Sequence, residues 1–204
     1  KTYVSKILSK ISGEYFKNYE INKIIRNSNG VKIYYGSESE FFTYDKVVLA
    51  SHADESLKII SDISDKEKKI LSNFKYKPNK AIIHSDESVM PINKNAWCSW
   101  NSSLSPDNNE NSSVTYWLNQ LQNLKIDKNI FLTINPFYEI DQNKVFNEIS
   151  FTHPYYDENA LQNQINLKSI QNINNTLFAG SYFGYGFHED GIKSSIEMLK
   201  TLND

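Results

Sequence analysis

Apolar side chains at Val4, Ile7, Leu8 and Ile11 recur at helical spacing and predict a helix over residues 3–11, stopped by Gly13. The period then shortens. YEINKIIR, VKIYYG and EFFTYDKVVLAS read as three strands in succession, with Asn29-Gly30 as the turn between the first two. KVVLAS is the most continuous apolar run of this region, as expected of a strand covered on both faces, and a small polar elbow, Ser51-His52, follows it. Residues 53–60 and 65–71 read as two short helices, the second capped by Ser64 or Asp65, and His52 is placed to cap the first.

From Phe74 to Ile149 the pattern becomes short aromatic strands separated by polar loops: KAIIHSD, AWCSW, VTYWLNQL, IFLTIN and KVFNEI. SPDNNENSS, residues 105–113, is a solvated loop by composition. A helix is predicted over 157–170, a short apolar strand over 175–181 and a closing helix over 192–202. No internal repeat interrupts this order. It describes a mixed α/β (α+β) chain, divided as 1–63, a sheet-and-helix lobe over 64–171, and a strand-loop-helix over 172–204 that returns to the first lobe.

Composition narrows the class. At 39% hydrophobic and 23% charged, 204 residues suffice for a globular core. The formal net charge is -2, from 22 basic and 24 acidic residues scattered along the chain, so no basic face is set up for phosphates and nucleic acid is not an expected partner. A single cysteine, Cys98, excludes an intrachain disulfide, and no apolar leader or transmembrane run is present. Those features place the chain in a reducing cytoplasm. Asn, Lys and Ile are abundant but dispersed through patterned segments, as expected from nucleotide bias in the gene rather than a low-complexity tract.

The uneven feature is glycine. Of 7 glycines, four (Gly180, Gly184, Gly186 and Gly191) fall within LFAGSYFGYGFHEDG, residues 177–191. A strand, a glycine-rich turn and a helix bring backbone N–H groups and a helix N-terminus onto an anion. Only 13 residues follow Gly191, too few for the strand-helix-strand unit of an opening dinucleotide fingerprint. If a nucleotide is bound, this stretch closes its site. Asp190 is the predicted N-cap of a helix starting at Gly191 or Ile192. The alternative is that these glycines only shape a loop and Glu189-Asp190 only caps a helix.

VVLASHADESL, AIIHSDESVMP, AWCSWN, VTYWLNQLQNL, TINP, HPYYD and LFAGSYFGYGFHEDGIKSSIE together resemble the C-terminal part of the bacterial amine oxidase-like flavoproteins, a superfamily that includes amine oxidases, phytoene desaturases and protoporphyrinogen oxidases. The resemblance extends over nearly the whole chain. It implies the back half of a two-lobed, glutathione-reductase-like FAD-binding fold with a mixed-sheet substrate lobe, and FAD as cofactor. It also implies hydride transfer from an apolar amine, polyene or lipid-type small molecule to flavin N5. Ala50, Ser51 and His52 would lie near the cofactor. Gly180, Ser181, Tyr185, His188, Glu189, Asp190, Gly191 and Ile192 would form its closing edge, with the last helix facing the flavin N1 and O2 region. Many relatives carry an acidic residue where this chain has Ser181, so the contact to the ribityl or phosphate region would be weaker here or pass to Glu189. The family's N-terminal glycine-rich Rossmann βαβ unit is missing ahead of KTYVSK. The chain is therefore expected to be a fragment whose FAD site is completed by an N-terminal half or a homologous chain; the other reading is a non-catalytic scaffold or partner-binding piece.

Other candidate chemistry is sparse. His84 with Asp86, and His188 with Glu189 and Asp190, lack the spacing of a metal motif, and no metal is expected. Trp100, Asn101 and Tyr116 are candidates for an apolar substrate pocket, although aromatic residues in a strand-rich lobe also serve as packing. G-x-S-x-G is absent, and Cys98 between two tryptophans is expected to be a buried, inert thiol. No general base is identified.

Overall fold

The computed structural model describes residues 2–36, 40–106 and 111–202. Asp107 to Glu110 of the predicted polar loop lie outside the described residues. Two compact units are formed, one from residues 1–75 with 156–204, the other from residues 76–155. The first helix of the sheet-lobe stretch, at 65–71, and the helical stretch after residue 156 thus belong with the first unit, not with the sheet.

The first unit begins with α1 (Thr2–Leu8) and an antiparallel meander of β1 (Ile21–Asn27), β2 (Gly30–Tyr35) and β3 (Phe41–Tyr44). Asn27 pairs with Gly30, so the two turn residues are Ser28 and Asn29, and Gly30 at φ 131° opens β2. EFFTYDKVVLAS does not form one strand. It divides into β3 and β4 (Val47–Leu49), and β4 leaves the meander to pair in parallel with β10 (Thr176–Phe178), Val48 opposite Leu177. Nor is β4 covered on both faces: Val47 and Leu49 are buried while Val48 is 43% exposed. Between these strands run α2 (Ala53–Ile59), with His52 as its N-cap, and α3 (Asp65–Leu71). Ser64 caps α3 through a reciprocal pair in which Glu67 N–H donates to Ser64 Oγ and Ser64 N–H to Glu67 Oε2.

α5 (Glu158–Asn163) starts at the Asp157 cap and continues as a 3-10 helix to Ile170. α6 runs His188–Leu202. The core gathers Ile24, Val31, Leu71, Leu167, Ile170, Leu177 and Phe178, all with no measurable exposure, each worth roughly 1.5–3 kcal/mol of burial for the larger side chains. Arg26 on β1 is sunk into this core and spends all of its guanidinium on Glu67, Asp62 and Thr176.

The second unit is a five-stranded sheet in the order β6-β7-β8-β5-β9, from β5 (Lys75–His84), β6 (Trp100–Leu104), β7 (Ser112–Trp117), β8 (Phe131–Ile134) and β9 (Val145–Tyr155), with α4 (Leu118–Leu121) after β7. The predicted AWCSW strand is displaced: residues 94–96 form a 3-10 turn and pairing begins at Trp100. One face carries a buried polar row in which His84 Nε2 meets Thr133 Oγ1 at 2.7 Å and Thr133 meets Thr115 at 2.9 Å.

Asparagine has taken over a task usually left to glycine. The described non-glycine residues with positive φ are Asn18, Asn123, Asn135, Asn172, Asn174 and Asn175, and Asn is the side chain that best tolerates the left-handed region. Among the described residues, no helix is long and apolar enough to cross a membrane.

Candidate functional site

β4 and β10 are parallel neighbours, so their carboxyl ends, Ala50-Ser51 and Gly180-Ser181, emerge side by side; Ala179 N–H donates to the Leu49 carbonyl at 3.0 Å. In open α/β sheets the crevice beyond such ends receives ligand. A short 3-10 turn at Ser181–Phe183 and a glycine loop then lead into α6.

The helix starts earlier than its sequence predicts. Asp190 is not the N-cap: α6 begins at His188, and Asp190 sits inside the first turn. It still closes the helix start, because Asp190 Oδ2 accepts the N–H groups of Tyr185 and Phe187, both at 3.0 Å. Gly184 is bound to this arrangement. A Cβ there would overlap the Asp190 carboxylate. Gly186, at φ 93°, adopts a left-handed conformation over the Tyr156 ring.

Gly191 is different. Its nearest neighbour to an added Cβ is Ser181 N at 3.8 Å, so nothing within the chain demands glycine there. It leaves an open position in the first turn of a 15-residue helix, close to the Ser181 backbone, where the helix dipole favours negative charge; Gly180, by contrast, makes room for the Tyr182 ring. Ser194 holds both glycines in place: its Oγ accepts Gly180 N–H at 2.9 Å and donates to the Gly191 carbonyl at 2.7 Å.

Two hollows flank the strand ends. One, of about 670 Å³, is apolar and lined by Ile24, Ile33, Val48, Ala50, Ser51 and Ile59 among others. The second, of about 300 Å³, runs along α6 beside Gly184, Asp190, Ser194 and Met198. The structure thus brings Ala50, Ser51, Gly180, Ser181, Asp190 and Gly191 to one end of the parallel pair. Tyr185, His188, Glu189 and Ile192 are exposed around the first turn of α6. The donor set fits the flavin edge that the resemblance implies: small residues for close approach and a helix start for developing negative charge.

Three residues of this site escape sequence reasoning. Ser194 and Gln164 look like ordinary polar helix positions, yet Gln164 Nε2 donates to the Gly184 carbonyl at 2.6 Å. Tyr156 donates to the Ser181 carbonyl at 3.3 Å beneath the glycine loop. Burial, followed by the negative charge of Asp190, pushes the Tyr156 pKa up to about 12, so it stays a neutral donor. The only hint was its place in HPYYD.

In the second unit, Trp100 and Tyr116 are cross-strand partners on one face, ring centroids 5.0 Å apart and edge-to-face. Trp100 is 60% exposed, an open aromatic surface. Asn101 points to the opposite face, where its amide donates to the Cys98 carbonyl at 2.6 Å and its oxygen accepts Cys98 N–H at 3.1 Å. It shapes the turn before β6 instead of lining that wall. Cys98 itself is exposed, not buried, because its segment is a turn and not the predicted strand. Trp97 and Trp117 pack edge-to-face at 5.3 Å beside Phe131.

One unit carries the parallel strand ends, glycine loop and closing helix, the other a five-stranded sheet whose β5–β8, β6–β7 and β7–β8 pairs are antiparallel and not mixed, and solved structures share this fold along nearly the whole chain. The chain is similar to a CLA-producing fatty acid isomerase from P. acnes, at 15% identity over 98% of this chain and 51% of that one, TM-score 0.66. A putrescine oxidase bound to putrescine matches at 7% identity over 100% of this chain and 52% of its own, TM-score 0.66. Cyclohexylamine oxidase from Brevibacterium oxydans IH-35A matches at 10% identity over 91% and 49%, TM-score 0.56. The chain spans about half the length of these structures. No family model and no curated protein matches the sequence.

Proposed function

We propose that this chain is the C-terminal share of an amine oxidase-like, FAD-dependent oxidoreductase. The observation that carries the reading is the parallel pair of strand ends, Ala50-Ser51 beside Gly180-Ser181, adjoining the unobstructed Gly191 in the first turn of α6. FAD, when bound, supplies the chemistry by accepting at N5 a hydride from an apolar amine, polyene or lipid-type substrate. Gly191 permits close approach of the cofactor, and the N-terminus of α6 gives positive potential to its anionic edge. Tyr185, His188, Glu189 and Ile192 form the rim, and Asp190, Ser194 and Tyr156 hold the loop; in the second unit the Trp100–Tyr116 face is an apolar surface for substrate. The first unit is the cofactor lobe and the second the substrate lobe. A lone thiol suits a reducing cytoplasm.

A second polypeptide half is supported by a separate observation. β4 is an edge of a two-stranded parallel sheet with Val48 exposed, and α6 presents Ile192, Ile196 and Leu199 at 57, 52 and 53% exposure on one stripe. Parallel sheets are ordinarily buried on both sides, so we infer that an N-terminal half carrying the opening nucleotide motif completes this lobe. In this alternative the present chain is a non-catalytic scaffold when alone.

Titration of FAD with the purified chain, read by flavin fluorescence and visible absorbance, tests both. Quenching and a shifted flavin spectrum, lost in Gly191→Val with circular dichroism unchanged, support a self-sufficient site. A change seen only after refolding with the polypeptide encoded upstream supports the two-part site. No change under either condition refutes the flavin reading.

A further inference from the structure

His84 and Asp86 take no part in the flavin reading, and among the described residues no metal-binding cluster surrounds them. Both are nevertheless buried, at 0% and 3% exposure. Their hydrogen bonds fix which imidazole nitrogen carries the proton. A backbone N–H can only donate, so with Asp86 N–H directed at Nδ1 at 3.1 Å, Nδ1 is the acceptor and the ring hydrogen sits on Nε2. Nε2–H then donates to Thr133 Oγ1 at 2.7 Å, which leaves the Thr133 hydroxyl to donate to Thr115 at 2.9 Å.

The Asp86 side chain is committed elsewhere. Its Oδ1 accepts Ser88 N–H at 3.2 Å and Lys144 Nζ at 3.1 Å, and its Oδ2 accepts Asp141 N–H at 3.0 Å. These bonds hold the 3-10 turn at 142–144, which Asp141 caps and which delivers the chain into β9. Ser85 N–H fastens the same turn through the Lys144 carbonyl at 3.0 Å.

A second proton on the ring acts unequally on its two sides. Nε2 donates to Thr133 in either state, so that side is undisturbed. Nδ1 becomes a donor facing the Asp86 N–H, two donors with no acceptor between them. The charged groups around the ring are Asp86 itself and, on the neighbouring turns, Glu87, Asp141 and Lys144, the last 3.1 Å from Asp86 and 3.5 Å from Asp141. From β7 and β8 the ring meets the uncharged Thr115–Thr133 row and Phe131. The partner a protonated ring demands is therefore the Asp86 carboxylate, which can turn to it only by giving up Asp141 N–H and Lys144.

We propose that Asp86 is a two-position latch thrown by the charge of His84: beside the neutral ring its carboxylate grips the turn ahead of β9, and beside the protonated ring it swings to Nδ1 and lets that turn go. Burial favours the neutral ring, so the latch opens below the ordinary histidine value of about 6.5.

Hydrogen exchange read by mass spectrometry on the full chain tests this, with rates corrected for the intrinsic pH dependence of exchange. Residues 141–145 should exchange at least about tenfold faster at about pH 5 than at about pH 7.5, while β1 and β2 keep their protection. His84→Gln, whose amide supplies an acceptor and a donor but no titrating charge, should exchange equally at both. Side-chain nitrogen NMR of the unmodified chain gives a second readout that needs no variant: the hydrogen on Nε2 at neutral pH, and a His84 titration that coincides with shifts of the Asp141 and Lys144 amides. Equal exchange at the two pH values overturns the latch, as does an acid-induced rise that persists in His84→Gln. A ring hydrogen on Nδ1 at neutral pH, or a His84 titration that leaves the Asp141 and Lys144 amides unmoved, overturns it as well.

Discussion

Glu67→Ala offers the sharpest test of how the first unit is held together. Arg26 and Glu67 side chains are 0% and 1% exposed, joined by Nη1 to Oε1 at 2.6 Å and Nη2 to Oε2 at 3.0 Å. The remaining guanidinium donors go to the Asp62 carboxylate at 3.1 Å, the Asp62 carbonyl at 3.1 Å and Thr176 Oγ1 at 3.3 Å. One side chain thereby ties β1 to the start of α3 and to β10. Burial on its own would push the Glu67 pKa up, but the bonds from Arg26 and Ser64 outweigh it and leave the pKa below the usual carboxylate value. Removing one member of a buried pair costs about 3–5 kcal/mol, because the other charge stays buried. Asp62, 34% exposed, still pairs with half of the guanidinium, which puts the expected loss near the lower end, about 3 kcal/mol. For a domain of this size that lowers Tm by roughly 6–12 °C. Urea unfolding at pH 7 measures it. The double variant Arg26→Met/Glu67→Leu, which removes both charges, should recover most of the loss. A Glu67→Ala cost below about 1 kcal/mol, the value of a surface pair, would refute the reasoning, as would a double variant that costs the sum of the two singles.

His84 is buried against Phe131 with Asp86 N–H donating to its Nδ1 at 3.1 Å, and burial holds its pKa below the ordinary value despite the nearby Asp86 charge. Its folded pKa is depressed, so the unfolded chain binds the proton more readily. Stability should fall as pH drops below about 6.5, and His84→Gln should flatten that part of the pH–stability curve measured in urea. Ser194→Ala strands the Gly180 N–H and should cost about 1–3 kcal/mol in the same assay. Gly184→Ala drives a methyl into the Asp190 carboxylate, which should free the Tyr185 and Phe187 amides and speed proteolysis within residues 184–188. Cys98 should react with a thiol reagent in the native chain as completely as in urea; protection in the native state would contradict its exposure.

Local pattern carried much of this fold. The strands around Ile24 and Ile33, the Ser64-capped helix and the strand–glycine loop–helix at the end all followed from spacing and capping residues. Errors arose where a local signal had two solutions. EFFTYDKVVLAS is apolar enough for one strand, but Asp45-Lys46 sends its halves into different sheets. Trp97, Cys98 and Trp100 share the composition of a strand, yet Asn101 bonds back to Cys98 and turns the chain. Asp190 has the identity of a cap, but its oxygen accepts from the loop ahead of it, and the helix begins at His188, three residues before Gly191.

Sequence by itself determined which segments can be strands or helices, that glycine is concentrated where backbone must come close to something, and a resemblance that places FAD beside that stretch. Those are properties of single residues and of spacing along the chain. Only the tertiary structure set Ala50-Ser51 next to Gly180-Ser181, showed that Gly184 is needed for its own neighbours while Gly191 is not, and left Val48, the stripe on α6 and the edge of β9 uncovered. Such facts depend on pairs of residues far apart in the chain, such as Leu49 with Phe178 or Arg26 with Thr176. No periodicity records those pairs, because the burial and hydrogen bonds that create them exist only once the chain has folded.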